Sequence, residues 1–195
     1  RILDIINQAE LIKNFSRIPS DFNKFLFCQL ISEIILKTNL EGAENAPLIF
    51  KLLYSCFNGI DLTEQGDIYS QEKIGLFFIS KFLKITGYPP LISVCSKCGL
   101  ETERRNLLFF SIRLGGMLCR KCSSLMDNYP DLKKPLSGEK LEFMALLFSA
   151  SLKDFKKTGI SKADLDDTML TIGDYMRYHT GCNIDVSLYL KGILP

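Results

Sequence analysis

Histidine is nearly missing from this chain, and no apolar stretch is long enough to cross a bilayer. These two scarcities remove whole classes of function. The longest apolar runs are broken by charge, as Lys24 and Glu33 break Phe22 to Leu36, whereas a membrane span needs about 20 consecutive apolar residues. With His179 as the only imidazole, a histidine-dependent triad has little to draw on, and a ring near a helix end is expected to bond the last carbonyls of that helix. No G-x-x-x-x-G-K, G-x-G-x-x-G or nucleophile-elbow sequence occurs, so phosphate-loop, dinucleotide and hydrolase chemistry have no foothold. Internal repeats and low-complexity runs are also missing. The start, Arg1-Ile2-Leu3-Asp4, has no initiator methionine and no charged-then-apolar leader, and reads as that of a fragment or trimmed product.

What is present is ample material for a core: 47% of the 195 residues are hydrophobic, enough for one large domain or two small ones. Seven cysteines are an odd number, and four of them form two tight C-x-x-C pairs, unlike a disulfide framework. A reducing, cytoplasmic setting fits that usage. The net charge is only +2, but it is unevenly placed. Residues 1–93 and 126–195 each carry 9 Lys/Arg against 10 Asp/Glu, while 94–125 carries 6 against 2. The positive excess therefore lies in the stretch that holds the paired cysteines.

Periodicity predicts helices on both sides of that stretch. Between Pro19 and Leu40, Ser20 or Asp21 offers a cap, and Phe22, Phe25, Leu26, Cys28, Leu30, Ile31, Ile34 and Ile35 form a wide apolar face. Asn45-Ala46-Pro47 opens a second helix with Gly59 as its stop, and Ile74 to Ile85 forms a third, ended by Gly87-Tyr88-Pro89-Pro90. From Val94 to Ser123 the pattern changes to strand-like pieces at Leu107 to Ile112 and Met117 to Leu118, joined through Gly115-Gly116 in a hairpin needing positive φ. Asn128 to Ser137 reads as a linker. Helical spacing resumes at Leu141, and a last helix runs from a capping-box-like Ser161 to Gly181. The expected fold is mainly α: a helical bundle with an inserted four-cysteine zinc hairpin. Residues 1–93 and 126–195 form the body and 94–125 the insertion.

Cys95, Cys98, Cys119 and Cys122 are spaced C-x2-C-x20-C-x2-C, which suits a four-thiolate zinc site supplied by two loops of a ribbon. One ion so held has every position filled, so it stabilises the fold and does no Lewis-acid chemistry. A redox C-x-x-C would need a thioredoxin-like βαβ setting that the flanks do not offer, and iron in a rubredoxin-like site is the other rival. Four thiolates on Zn2+ leave a charge of about −2. Lys97, Arg104, Arg105, Arg113, Arg120 and Lys121 either neutralise that charge or form a surface for a partner. Cys28 and Cys56 lie on apolar faces and behave as small hydrophobes, Cys182, past Gly181, is open to exposure with no partner in sequence, and none of the three is assigned a role. Asp164, Asp166 and Asp167 fall in the first turn of a helix, where capping explains them better than metal binding.

Gly87-Tyr88-Pro89-Pro90, Cys95-Ser96-Lys97-Cys98-Gly99, Phe110-Ser111 and Gly115-Gly116-Met117-Leu118-Cys119-Arg120-Lys121-Cys122 together resemble the zinc-bearing region of the RecO family. Ala9-Glu10-Leu11-Ile12, Leu30 to Ile34, Tyr178-His179-Thr180-Gly181 and Ser187 to Leu190 extend the resemblance over nearly the whole chain. It implies a non-enzymatic recombination mediator of the bacterial cytoplasm and nucleoid. Such a mediator binds single-stranded DNA and the tail of its binding protein SSB, works with RecR to load RecA, and promotes strand annealing. The family's members begin with an oligonucleotide-binding barrel of strands, and this chain starts where that barrel should end. The alternative is a zinc-stabilised interaction scaffold with no DNA binding of its own.

Overall fold

The computed structural model describes residues 7–38, 43–101, 107–125 and 133–193. Helices dominate: α1 (Phe22–Lys37), α2 (Ala46–Asp61) after a short 3-10 turn, α3 (Ile68–Ile85), α4 (Arg120–Ser124), α5 (Gly138–Ser149), α6 (Leu152–Lys157), α7 (Lys162–Thr180) and α8 (Val186–Leu190). Three short strands, β1 (Leu107–Ser111), β2 (Gly116–Cys119) and β3 (Lys133–Pro135), form one antiparallel sheet in the order β2-β1-β3.

Local signals explain where the long helices begin and end. Asp21 accepts from the amides of Asn23 and Lys24 at 2.9 and 3.1 Å and so starts α1. Ser161 accepts from the Asp164 amide at 3.1 Å while its hydroxyl donates to the Asp164 carboxylate, and Gly181 closes α7 at φ 71°. Capping thus occupies Asp164, and Asp166 and Asp167 pair with Lys162 and Lys140.

Four local readings are corrected. Gly59 does not stop α2, which continues to Asp61; an added Cβ there would lie 3.4 Å from Ile74, so this glycine is a contact point between α2 and α3. Phe22 and Phe25 are about half exposed, because α1 turns Leu26, Phe27, Leu30, Ile31 and Ile34 inward and seats Phe27 against Gly75 of α3. The end of the supposed linker is β3, paired with β1 through Phe109 to Ser111, and Pro135 is tolerated because β3 is an edge strand. Cys182 is buried, as are Cys28 and Cys56.

Helix α3 is the axis of the body, packed against α1, α2, α5, α6 and α7 and buried from Gln71 to Ser80. Enclosure on all sides forces charged side chains inward, and most find helix ends to bond. The Lys24 ammonium donates to the carbonyls of Asp61 and Thr63 at 3.1 and 2.6 Å, capping α2, and Lys73 donates to those of Lys156 and Thr158 at the end of α6. Glu72 is different: one carboxylate oxygen meets Lys162 at 2.6 Å, and the other is buried with no hydrogen-bond partner among the described residues. Burial and the neighbouring Asp166 push its pKa up to about 8, against the pull of Lys162.

A carboxyl group that binds its proton more tightly when folded stabilises the fold fully below its unfolded pKa near 4.5, and that stability is lost as pH rises towards 8. Glu72→Gln is therefore expected to flatten a decline in melting temperature that the natural chain shows between about pH 5 and 8. Parallel slopes for the two proteins in a pH series of thermal melts would contradict this.

Candidate metal centre and its basic ribbon

The first cysteine pair sits in a narrow chain reversal. Val94 bridges Glu101, the Cys95 amide donates to Leu100 O at 3.2 Å, and the Gly99 amide donates back to Cys95 O at 2.8 Å with Gly99 at φ 69°. A turn this tight points both sulfurs to one side. The second pair is made differently: Cys119 ends β2 and is the cap residue of α4, and Cys122 follows one turn later. A slip in register between Leu107 and Phe109, opposite Leu118 and Cys119, bends the ribbon where the pair begins. The two pairs are stitched together by the amide and hydroxyl of Ser96, both donating to Met117 O at 2.8 Å.

All four sulfurs consequently lie within 4.8 Å of one another. Zinc–sulfur bonds of about 2.3 Å would set the sulfurs about 3.8 Å apart, a shift within the reach of small side-chain rotations. Cys95, Cys119 and Cys122 are buried, whereas Cys98 is exposed. Burial opposes charge on Cys95, but the amides of Cys119, Cys98 and Lys97 directed at its sulfur prevail and bring its pKa down to about 6. The Cys122 thiol is pushed up to about 12 by burial and by the other three sulfurs. Four thiolates this close repel one another unless a cation lies between them, and this donor set suits one tetrahedral ion of zinc or iron.

A separate set of contacts fixes the ribbon to the body. Leu91 accepts from Met117 at 2.8 Å and donates to Gly115 at 2.9 Å, bringing the backbones so close that a Cβ on Gly116 would lie 2.3 Å from Leu91 O. Gly115 does take the positive φ expected of it, 73°, whereas Gly116 is needed for close approach. His179 does not bond the end of its own helix: its Nε2 lies 2.6 Å from the carbonyl O of Ile112, beside the hairpin turn. Tyr175 donates to Tyr88 O at 3.2 Å and packs edge-on against Phe110 with ring centres 5.7 Å apart. Only the folded chain brings His179 to Ile112, so neighbouring residues gave no sign of it.

The basic residues do not make one cluster about the sulfurs. Lys97, Arg120 and Lys121 are exposed in the two cysteine turns, while Arg113 lies in the hairpin turn at the far end of β2, about 10 Å along the strand. Arg104 and Arg105 lie outside the described residues. Arg120 and Lys121 open a helix, where cations are normally disfavoured, and four thiolates holding a divalent ion beside them would offset that penalty.

A second site escaped the motif reading. Leu52, Phe77 and Leu152 floor a groove of about 380 Å3 between α2, α3 and the α5–α6 corner, with Lys51, Lys81 and Lys84 at its rim and, among the described residues, no acidic side chain lining it. Burial and the nearby Lys84 push the Lys81 pKa down to about 8, and its ammonium sits 5.0 Å from the Phe77 ring centre. Lysines three residues apart, facing a third on another helix, become a site only after packing.

The two hairpin glycines should separate in thermal melts. Gly116→Ala, which drives a methyl into backbone, is expected to cost about 3 kcal/mol, and Gly115→Ala about 1 kcal/mol for the left-handed conformation alone. The reverse ranking would mean that the Leu91–Gly116 approach does not hold the ribbon.

The comparisons with known proteins agree with this architecture. The family model described as "Recombination protein O C terminal" matches residues 19–185. The DNA repair protein RecO of Caldanaerobacter subterraneus subsp. tengcongensis is 28% identical over 175 residues, covering 89% of this chain and 66% of that protein. That of Oceanobacillus iheyensis is 31% identical over 157 residues, 80% of this chain and 55% of the relative. That of Listeria welshimeri is 25% identical over 189 residues, 97% and 67%. The chain thus spans roughly two thirds or less of the length of these curated relatives. With a matched segment covering most of its length, this chain belongs to the RecO family of DNA repair proteins and corresponds to the C-terminal part of that family.

Proposed function

We propose that this chain is the helical, zinc-stabilised part of a recombination mediator that acts by binding, without catalytic turnover, in the cytoplasm and on the nucleoid. Cys95, Cys98, Cys119 and Cys122 hold one structural zinc ion, and the ribbon of residues 94–125 is an insertion in a single helical body. Single-stranded DNA meets the ribbon through phosphate contacts from Lys97, Arg104, Arg105, Arg113, Arg120 and Lys121, which read no sequence. The body receives the acidic, apolar tail of SSB and cooperates with RecR, so that RecA is loaded and complementary strands anneal.

The groove of Lys51, Lys81 and Lys84 carries the partner assignment. Its apolar floor and a rim with no carboxylate among the described residues complement an acidic peptide bearing apolar side chains. A carboxylate that arrives beside Lys81 offsets the burial and the Lys84 charge that hold this ammonium below its ordinary pKa. The same groove supports a second reading, a pure peptide-binding scaffold that ignores nucleic acid.

Two titrations decide between them. A labelled SSB-tail peptide should bind, with affinity falling as pH rises through about 8 and reduced more than tenfold by Lys81→Glu. No loss in that variant removes the groove assignment. Oligo-dT should bind with a salt slope that falls by about 0.7 for each phosphate-contacting arginine replaced by alanine. Peptide binding with no oligonucleotide binding selects the scaffold. A strong chelator should raise hydrogen exchange in residues 91–119 before it affects α3, and unchanged ribbon protection after metal removal would count against the zinc.

A further inference from the structure

We infer that Tyr178, on the last turns of α7, is a stacking platform for a base of single-stranded nucleic acid. The inference rests on the DNA-binding reading above and adds to it a kind of contact that basic side chains do not provide. Tyr178 is 52% exposed, and its hydroxyl has no hydrogen-bond partner among the described residues. It is nevertheless braced from behind. His179 meets it edge-on, ring centres 5.1 Å apart and planes at 70°; Tyr175 lies 4.3 Å from His179; and Phe110 of β1 lies 5.7 Å from Tyr175.

This aromatic series runs from the core of the ribbon to open solvent. It is fixed at His179 by the bond to Ile112 O and at Tyr175 by the bond to Tyr88 O. An exposed ring held in place loses little further freedom when a flat ligand lies on it. Its position identifies that ligand. The Ile112 carbonyl that His179 holds is next to Arg113, the ribbon cation at this end of β2, so a polyanion that engages Arg113 is brought towards Tyr178. A nucleobase is the aromatic face such a polyanion brings, and stacking accepts any base, as a mediator without sequence preference requires. Arg177, the nearest other cation in sequence, is tied to Asp174 at 2.7 Å and leaves the ring uncovered by charge pairing.

Tyr54 supplies an internal control. It is 40% exposed and braced edge-on by Phe15 at 6.0 Å, but this pair leads to Phe57 on α2 and not into the ribbon. Oligo-dT affinity of the 195-residue chain, measured at two salt concentrations, tests the inference. Tyr178→Ala should lose roughly tenfold in affinity with an unchanged salt slope, Tyr178→Phe should stay near the natural value, and Tyr54→Ala should change nothing. A 2-aminopurine base in the oligonucleotide should be quenched on binding by the natural chain and by Tyr178→Phe, and remain bright with Tyr178→Ala. If the natural chain binds DNA but Tyr178→Ala binds equally well, or lowers the salt slope, or is matched by Tyr178→Phe, the platform is overturned while the DNA reading stands. Failure of the natural chain to bind DNA overturns both.

Discussion

Four thiols that fold into one small volume repel one another as soon as they ionise, and this repulsion governs the middle of the molecule. The ribbon around them has strands of five, four and three residues, too few to bury a core of their own. Its order must therefore come from outside the sheet. At one end four clustered sulfurs are placed where a cation would supply it, turning mutual repulsion into a cross-link between two chain reversals. At the other end the body supplies it, through Leu91 laid against Gly116 and His179 fastened to Ile112. Phe110, Met117 and Leu118, buried between these anchors, join the sheet to the same apolar core as the helices.

The body follows from the enclosure of α3. A helix surrounded on all sides has no face on which to leave its charges, so Lys73 is used to close α6, and Glu72 is left holding a proton more tightly than an exposed carboxyl would. Lys24 performs the corresponding task for α2. Towards its C-terminal end α3 emerges from this enclosure, and there Lys81 and Lys84 rim an apolar groove. Buried charge satisfied by helix ends gives structure; charge left crowded at the mouth of an apolar groove is available for an anion.

Much of this was legible in the sequence where the deciding atoms are close along the chain. Asp21, Ser161 and Gly181 delimit helices through partners within a turn or so, and the paired C-x-x-C spacing brought four sulfurs together as expected. Gly59 was misread because a stop glycine and a packing glycine look alike until α3 is laid across it. His179, Cys182 and the lysine groove were missed for the same reason: their neighbours come from elements dozens of residues away, and local pattern carries no record of them. Strand β3 is three residues ending in proline, which reads as a linker until β1 offers it a ladder.

X-ray absorption at the metal edge, on anaerobically purified protein of measured metal content, tests the central claim most directly. The account predicts one zinc per chain with four sulfur neighbours at about 2.3 Å and no nitrogen or oxygen in the first coordination sphere. Substoichiometric metal in fully reduced protein, or a shell completed by lighter atoms, would contradict it.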